Sequence, residues 1–496
     1  MPTFTALPAA TAPLTSLGTH ASPEALAAAG YADTEYLVSG TAALWGPGRP
    51  QAMEGPTLSR AEIVPLGALR VDGLPYVTRA IVRAPVDPVA CSGTVHVEVI
   101  HNAGEIVPSW SLCHRRFVDH GDVWIAVTVS SGAHVGIDGE VRGGVQLLRQ
   151  LDPDRYGTLV LESGEAADWP LLRARDLAHD LEGKGLVDVL ADSPFGGGGD
   201  SAAFGVLVEE IYRTYAHSPE VVAQIAASVR EGDGPLAGYR IERLFGTGAS
   251  GTAIWWNAFL DGGHHARARR DDGGPVFDGY VVFVASPPRT RPDDAVLVSV
   301  LSEAEAVLAV AEHHSPEDSD RPPFRQYELA GTGHRLSGDG SRTELTGATE
   351  ALVELMGGAG ERPDDLLPFD RVTYPVVHAI WDHLERWVAD GVPMPPGAHL
   401  TRDPSTPDGL ARDEHGNALG GVRTPWVEVP NARYLARSPW NPLRACMQPF
   451  PAERMRELYG DHATYVARFG TAVAALVADG WATDEEVDLF APGEPF

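Results

Sequence analysis

Apolar and polar positions alternate in short segments across residues 35–83 (EYLVSGTAALW, AEIVPLGALRV, YVTRAIVRAP), broken by Gly and Pro. That pattern predicts antiparallel strands. Two apolar-rich runs follow, GTVHVEVI at 93–100 and then DVWIAVTVS, which read as strands buried on both faces of a parallel sheet. Helical periodicity covers 165–190 and 204–230, with a glycine run at 196–199 between them. A strand at 239–245 (YRIERLF) leads through a glycine-rich turn into a helix at 252–260 (TAIWWNAFL). The strands GYVVFVAS and AVLVSVLS, the helical AEAVLAVAEHH and a short strand YELA complete the middle of the chain. Beyond residue 362 a long amphipathic helix (VTYPVVHAIWDHLERWVADG) precedes a Pro/Gly-rich stretch at 392–430, and helix returns at 452–490. A stretch of that length without periodicity is too long for an ordinary loop.

Strands alternating with helices predict an α/β fold with a mostly parallel sheet and helices on both faces. Such sheets build their sites at the carboxyl ends of strands. The rule selects residues 101–104, 246–251, 302–305 and 331–334. The expected division is a mobile leader at 1–30, an N-terminal β segment at 31–90, an α/β core at 91–390 and a cap-like extension at 391–496 that covers the pocket.

Composition narrows the chemistry. The chain has 496 residues, 44% hydrophobic and 21% charged, which suits a protein with a large core. Its 68 acidic side chains against 38 Lys and Arg give a formal charge of -30, which argues against nucleic acid as a partner. Lys184 is the single lysine, so lysine chemistry is an unattractive reading and the positive charge is almost wholly arginine. Cys91, Cys113 and Cys446 have no metal-finger or redox spacing, and no cofactor or metal is expected. No run approaches ~18 apolar residues and the N-terminus lacks a signal-peptide pattern. A cytoplasmic location without a membrane partner is therefore expected, and a homo-oligomer is allowed.

The strongest local signal is Gly248-Ala249-Ser250-Gly251-Thr252 between a strand and a helix. A serine on such a turn is pushed clear of the sheet, and small flanking residues let the backbone pack closely. The following helix N-terminus favours developing negative charge, with the Gly251 amide as one oxyanion donor. A serine hydroxyl needs a histidine to take its proton and an acid to orient that histidine. Candidates stand after later strands in the required order: Glu303 and Glu305 as alternative acids, then His334 as base. Asn102 and Ala103, after the first buried strand, are the candidates for the second oxyanion donor. Ala249, Arg423 and Trp426 are candidate substrate contacts, Arg423 toward an acidic group. The pairs His264-His265 and His313-His314 offer divergent side chains and argue poorly for a shared metal. Trp255 and Trp256 read as core.

These parts resemble a family of large bacterial α/β-hydrolase domain proteins, through GYADTEYLVSGTA, VEVIHNAG, GPLAGYRIERLFGTGAS, FDGYVVF, LSEAE, YELAGTGH and DEHGNALGGVRTPWVEVPNARY. The resemblance implies an α/β-hydrolase fold and a serine hydrolase acting on a small-molecule carboxylic ester, with His334 as base and Glu305 or Glu303 as acid. The family pattern at the turn is Gly-x-Ser-Gln-Ser-Gly, where this chain has Gly246-Thr247-Gly248-Ala249-Ser250-Gly251. If the first serine is the family's nucleophile, its role has passed to Ser250 or has been lost. Three readings stay open: an esterase, an acyltransferase, lactonase or amidase on a specialised metabolite, and a non-catalytic small-molecule binder on a hydrolase scaffold.

Overall fold

The computed structural model describes residues 1–9, 17, 19–48, 66–101, 105–132, 143–165, 168–169, 209–311, 317–336, 361–369, 371–441, 443–492 and 496. The glycine run at 196–199, His313, His314 and most of the helical segment expected at 165–190 lie outside them. The chain divides into two compact units: Met1–Leu297 with Arg321–Pro323 and Gly340–Met356, and Val298–Asp320 with Phe324–Asp339 and Gly357–Phe496.

In the first unit the strands run in the spatial order β1-β2-β3-β5-β4-β6-β7. They are β1 (Thr3–Ala6), β2 (Tyr31–Gly46), β3 (Ala68–Pro85), β4 (Thr94–Ile100), β5 (Val123–Thr128), β6 (Arg243–Ala249) and β7 (Gly279–Phe283). β1, β2 and β3 pair antiparallel, and β3 joins the centre through an antiparallel pairing with β5. The centre, β5-β4-β6-β7, is parallel throughout. All residues of β4, β5 and β7 are buried, as expected of strands covered on both faces. Instead of short segments, β2 and β3 form one long ribbon, and its outer end at residues 69–73 is exposed. Thr3–Ala6 pairs with β2, and helix α1 (Pro23–Ala28) starts with Ser22 accepting from the Ala25 amide.

Helices α2 (Pro108–His120), α3 (Gly144–Leu151), α4 (Ser218–Arg230) and α5 (Gly251–Asp261) belong to this unit. α5 is apolar nearly all round and correspondingly buried. Its Trp255, Trp256 and Phe259 pack with Phe277 and Tyr280, and the indole N–H groups donate to the Ser218 hydroxyl and the Thr247 carbonyl. The expected core role of the two tryptophans is thus observed.

The second unit carries β8 (Val296–Ser302, apart from its first two residues), β9 (Ser319–Asp320) and β10 (Pro323–Leu329, apart from its first residue), in the order β8-β10-β9. A separate antiparallel sheet has the order β11-β13-β12, from Leu367–Pro368, Cys446–Pro449 and Ala432–Leu435. Helices α6 (Glu303–Ala311), α7 (Tyr374–Asp390), α8 (Ala452–Tyr459) and α9 (His462–Ala478) belong here. The Pro/Gly-rich stretch is folded by isolated bridges, Leu400 to Gly420, Arg402 to Leu410 and Arg412 to Ala418, and it bridges to β10 through Tyr327 to Ala398 and Leu329 to Val422. Wholly buried Glu328 is its centre, accepting from the Leu400 amide, Gln326 and Arg402. Among the described residues, no helix is long and apolar enough to cross a membrane.

Two buried charges make the first unit's stability testable. Arg79, on β3, bonds the Glu105 carboxylate, and both side chains are almost inaccessible. Burial works against the guanidinium charge, but Glu105, Tyr156 and Glu35 hold its pKa above the ordinary value. Removing one member of a buried pair strands the other, so Arg79→Met should lower unfolding free energy by about 3–5 kcal/mol. Urea unfolding beside Arg240→Ala, which removes a largely exposed ion pair and should change little, checks this.

Glu98, on β4, accepts the Ser109 amide at 2.7 Å and the Trp110 amide and Trp124 indole N–H at 3.0 Å each. Burial nevertheless pushes its carboxyl up to about 7. The folded chain then holds a proton that the unfolded chain releases, so the stability Glu98 contributes is fully present below its ordinary value of 4.5 and is lost as pH rises through 7. Between pH 5 and pH 8 the stability of wild type relative to Glu98→Gln should fall by about 2–3 kcal/mol. A difference that stays constant with pH would show that Glu98 titrates normally.

Candidate active site

β6 ends at Ala249 and α5 begins at Gly251, which leaves Ser250 as the whole connection. A one-residue reversal from strand to helix cannot be made with ordinary dihedrals, and Ser250 takes φ 54° and ψ -124°. L side chains rarely adopt that conformation, which costs of order 1–3 kcal/mol unless the surroundings enforce it. They do so here. The Ser250 amide donates to the Phe283 carbonyl at 3.0 Å, and the Ser250 carbonyl accepts from Ile254 at 2.9 Å. Thr252 Oγ1 accepts from the Ala249 amide and donates to the Ala249 carbonyl, each at 2.8 Å. Thr252, in place of a final glycine, therefore clamps the turn with its hydroxyl.

The glycines are required by contact. A Cβ on Gly248 would lie 2.8 Å from Thr252 C and Oγ1, and one on Gly246 would lie 2.7 Å from Tyr280 and 2.8 Å from Trp256. A serine at position 248 would strike backbone, so Ser250 alone of the two positions has room for a hydroxyl in this chain. No side chain caps α5, and first-turn amides have no carbonyl partner within their own helix. The helix dipole adds to those N–H groups, so the turn favours an anion. Ala249 is buried, and its backbone is engaged by Thr252.

β4 ends at the other proposed donor loop. The His101 amide donates to the Ile106 carbonyl at 3.0 Å, closing a short loop. Asn102 and Ala103 lie outside the described residues. Glu105, at φ 57°, ends the loop, and besides Arg79 its carboxylate takes the Gly144 amide at 2.7 Å. The His101 ring, named above only as part of its loop, lies against the turn: a Cβ on Gly251 would be 2.9 Å from its Nε2.

In the second unit, His334 Nδ1 is 2.7 Å from Glu305 Oε1, and the Ser302 hydroxyl donates to Glu305 Oε2. Glu303 turns elsewhere. Its Oε2 accepts the Gly331 amide at 2.7 Å, its Oε1 accepts from Arg412 at 2.5 Å, and its own amide donates to Thr332 Oγ1 at 3.3 Å. Burial pushes the Glu303 carboxyl up, with Arg412 working against the rise. Of the two acids only Glu305 meets the imidazole. Glu303 ties down the loop that carries it.

The two expected substrate contacts in the C-terminal stretch have partners within the protein. Arg423 donates to Glu428 Oε2 at 2.7 Å, Asp413 Oδ2 at 3.2 Å, the Val427 carbonyl at 2.9 Å and the Ala418 carbonyl, so its guanidinium is occupied in folding its own segment. Trp426 is buried against Phe469 and Phe490 and donates to the Ala491 carbonyl at 3.0 Å. His264 and His265 face separate partners, the Leu66 carbonyl and Tyr280 with Asp294, and burial lowers the His264 pKa to about 4. Another histidine–carboxylate couple, His96 with Asp122 at 2.9 Å, stands near the amino end of β4 against the Phe117 ring, with Arg116 also on Asp122. Sites of this fold lie at the carboxyl ends, so position separates that couple from the one at Glu305.

Comparison with curated proteins finds no match. The family model described as an alpha/beta hydrolase domain matches residues 4–491, nearly the whole chain. Together with the parallel strand core and the strand-turn-helix at Ser250, that match establishes that the chain belongs to the alpha/beta hydrolase domain family.

Proposed function

We propose that the protein is a serine hydrolase that cleaves a carboxylic ester of a small molecule through an acyl-serine intermediate. The observation that carries the reading is Ser250 held at φ 54° on a one-residue strand-to-helix turn. Strain of this kind persists where the surroundings over-determine it, and it clusters at reacting positions. In the reaction, Ser250 Oγ attacks the ester carbonyl carbon while its proton passes to His334 Nε2. Glu305, on Nδ1, selects the tautomer and stabilises the imidazolium. The carbonyl electron pair moves to oxygen, where the Gly251 amide and a donor from Asn102 or Ala103 receive it. Collapse expels the alcohol, which takes the proton from His334, and a water then repeats the sequence on the acyl-serine. The close approach of position 248 to Thr252 also supports catalysis over a binder that has lost its nucleophile, because the missing serine is a steric demand of this turn.

A fluorophosphonate probe should label the wild type and fail to label Ser250→Ala; equal labelling of both would overturn the assignment. Glu305→Gln, which permits the wrong imidazole tautomer, should lower turnover of a simple p-nitrophenyl ester roughly 10²–10⁴-fold. Gly248→Ser should slow labelling instead of restoring a second nucleophile, since its Cβ would displace Thr252; mass mapping of the labelled peptide shows whether the adduct stays on Ser250.

A further inference from the structure

Two arginines of the irregular C-terminal stretch and one just beyond β12 converge on the turn that presents Glu305. Arg402 Nη1 donates to the Ala306 carbonyl at 3.1 Å and Arg437 Nη2 to the Ala304 carbonyl at 3.2 Å, while Arg412 Nη1 holds the Glu303 carboxylate at 2.5 Å. Two are anchored at their other nitrogens, Arg402 on buried Glu328 at 2.8 Å and Arg412 on Asp408. A guanidinium presents several donors in a fixed plane, so it can bridge two acceptors on different segments with little rotational freedom left. The stretch and the residues just after it also enclose the His334 loop. A Cβ on Gly331 would meet Val427 at 2.9 Å, one on Gly333 would meet the Ala445 amide nitrogen at 2.4 Å, and the Arg335 amide donates to the Leu443 carbonyl at 2.9 Å. Arg412 links the two carriers. It fixes Glu303, whose second oxygen takes the amide of Gly331, three residues before His334.

We propose that residues 402–437 position the Glu305–His334 pair, with Arg412 as the central positioning residue acting through Glu303. This rests on the reading of His334 as the proton-transfer group. A loop histidine and a carboxylate in a first helical turn have no shared rigid element of their own, and a hydrogen bond at 2.7 Å tolerates displacements of only about 0.5 Å before proton transfer suffers. The arginine bridges supply that rigidity. Without Arg412, Glu303 keeps its buried setting but loses its compensating charge, and the Gly331 anchor loosens with it.

The test uses the full chain with Arg412→Met and Arg412→Lys. Three measurements follow: p-nitrophenyl ester turnover with fluorophosphonate labelling rate, the downfield proton signal of the His334 Nδ1–H, assigned by its loss in His334→Gln, and the melting temperature. Arg412→Met is expected to lower kcat about 10²-fold with KM little changed. The downfield signal should shift or broaden, and Arg412→Lys, which still reaches Glu303 but releases Asp408, should recover most of both. A methionine variant with wild-type labelling rate and an unmoved signal overturns the proposal, as does a lysine variant no better than methionine. If Arg412→Met does not fold, Arg437→Met, which removes the Ala304 contact together with a cation that acts on Glu305, is expected to show the same signature in weaker form, and an unmoved signal there overturns the proposal. If Ser250→Ala and His334→Gln leave ester turnover intact, the hydrolytic reading falls, while the proton signal still decides whether Arg412 positions the histidine.

Discussion

Reversing the chain in one residue between β6 and α5 is the constraint on which the first unit's arrangement depends. With Ser250 as the whole turn, the first two turns of α5 lie directly on the strand that precedes them, so positions 246 and 248 can carry no side chain. The same closeness brings Trp256 and Tyr280 onto the bare strand and explains why this helix is buried nearly all round. Thr252 then has a specific task, because its hydroxyl satisfies both backbone groups of Ala249 that the abrupt turn would otherwise leave without partners. Strain at one serine is thus distributed over glycines, an aromatic cluster and one hydroxyl, none of which is reactive.

Much of this was legible in the pattern of the chain. The buried runs at β4 and β5, the strand-turn-helix around Ser250 and the approximate places of β7, β8 and β10 follow from periodicity and punctuation. The strand expected at 239–245 instead runs Arg243–Ala249, since Gly246 and Gly248 have weak strand propensity but are held by pairing, Gly246 with β4 and β7 and Gly248 with β7. Glu303 and Glu305 could not be separated by sequence because both suit a first helical turn. Two residues apart on a helix they point in nearly opposite directions, and only the tertiary setting says which one faces the histidine. A Gly-Gly-Val-Arg-Thr-Pro-Trp run looks like recognition chemistry, but an irregular segment also needs side chains to satisfy its own carbonyls, and Arg423 serves that need.

The near-total use of arginine for positive charge has a structural counterpart. Arg79, Arg402 and Arg412 each satisfy acceptors on separate segments. A lysine ammonium is more strongly hydrated and lacks the planar fork, so in such places it can keep one partner but cannot bridge two. In each unit a guanidinium faces a buried carboxylate, Arg79 on Glu105 and Arg412 on Glu303.

The approach of the His101 ring to the Gly251 Cα carries an evolutionary corollary. Position 251 can gain even a methyl group only if position 101 shrinks or swings away first, and a smaller residue at 101 leaves a void unless 251 grows. The two sites therefore share one volume and are expected to change together, with the order of the changes mattering. Divergence at this turn should proceed through paired replacements, each costly when made alone.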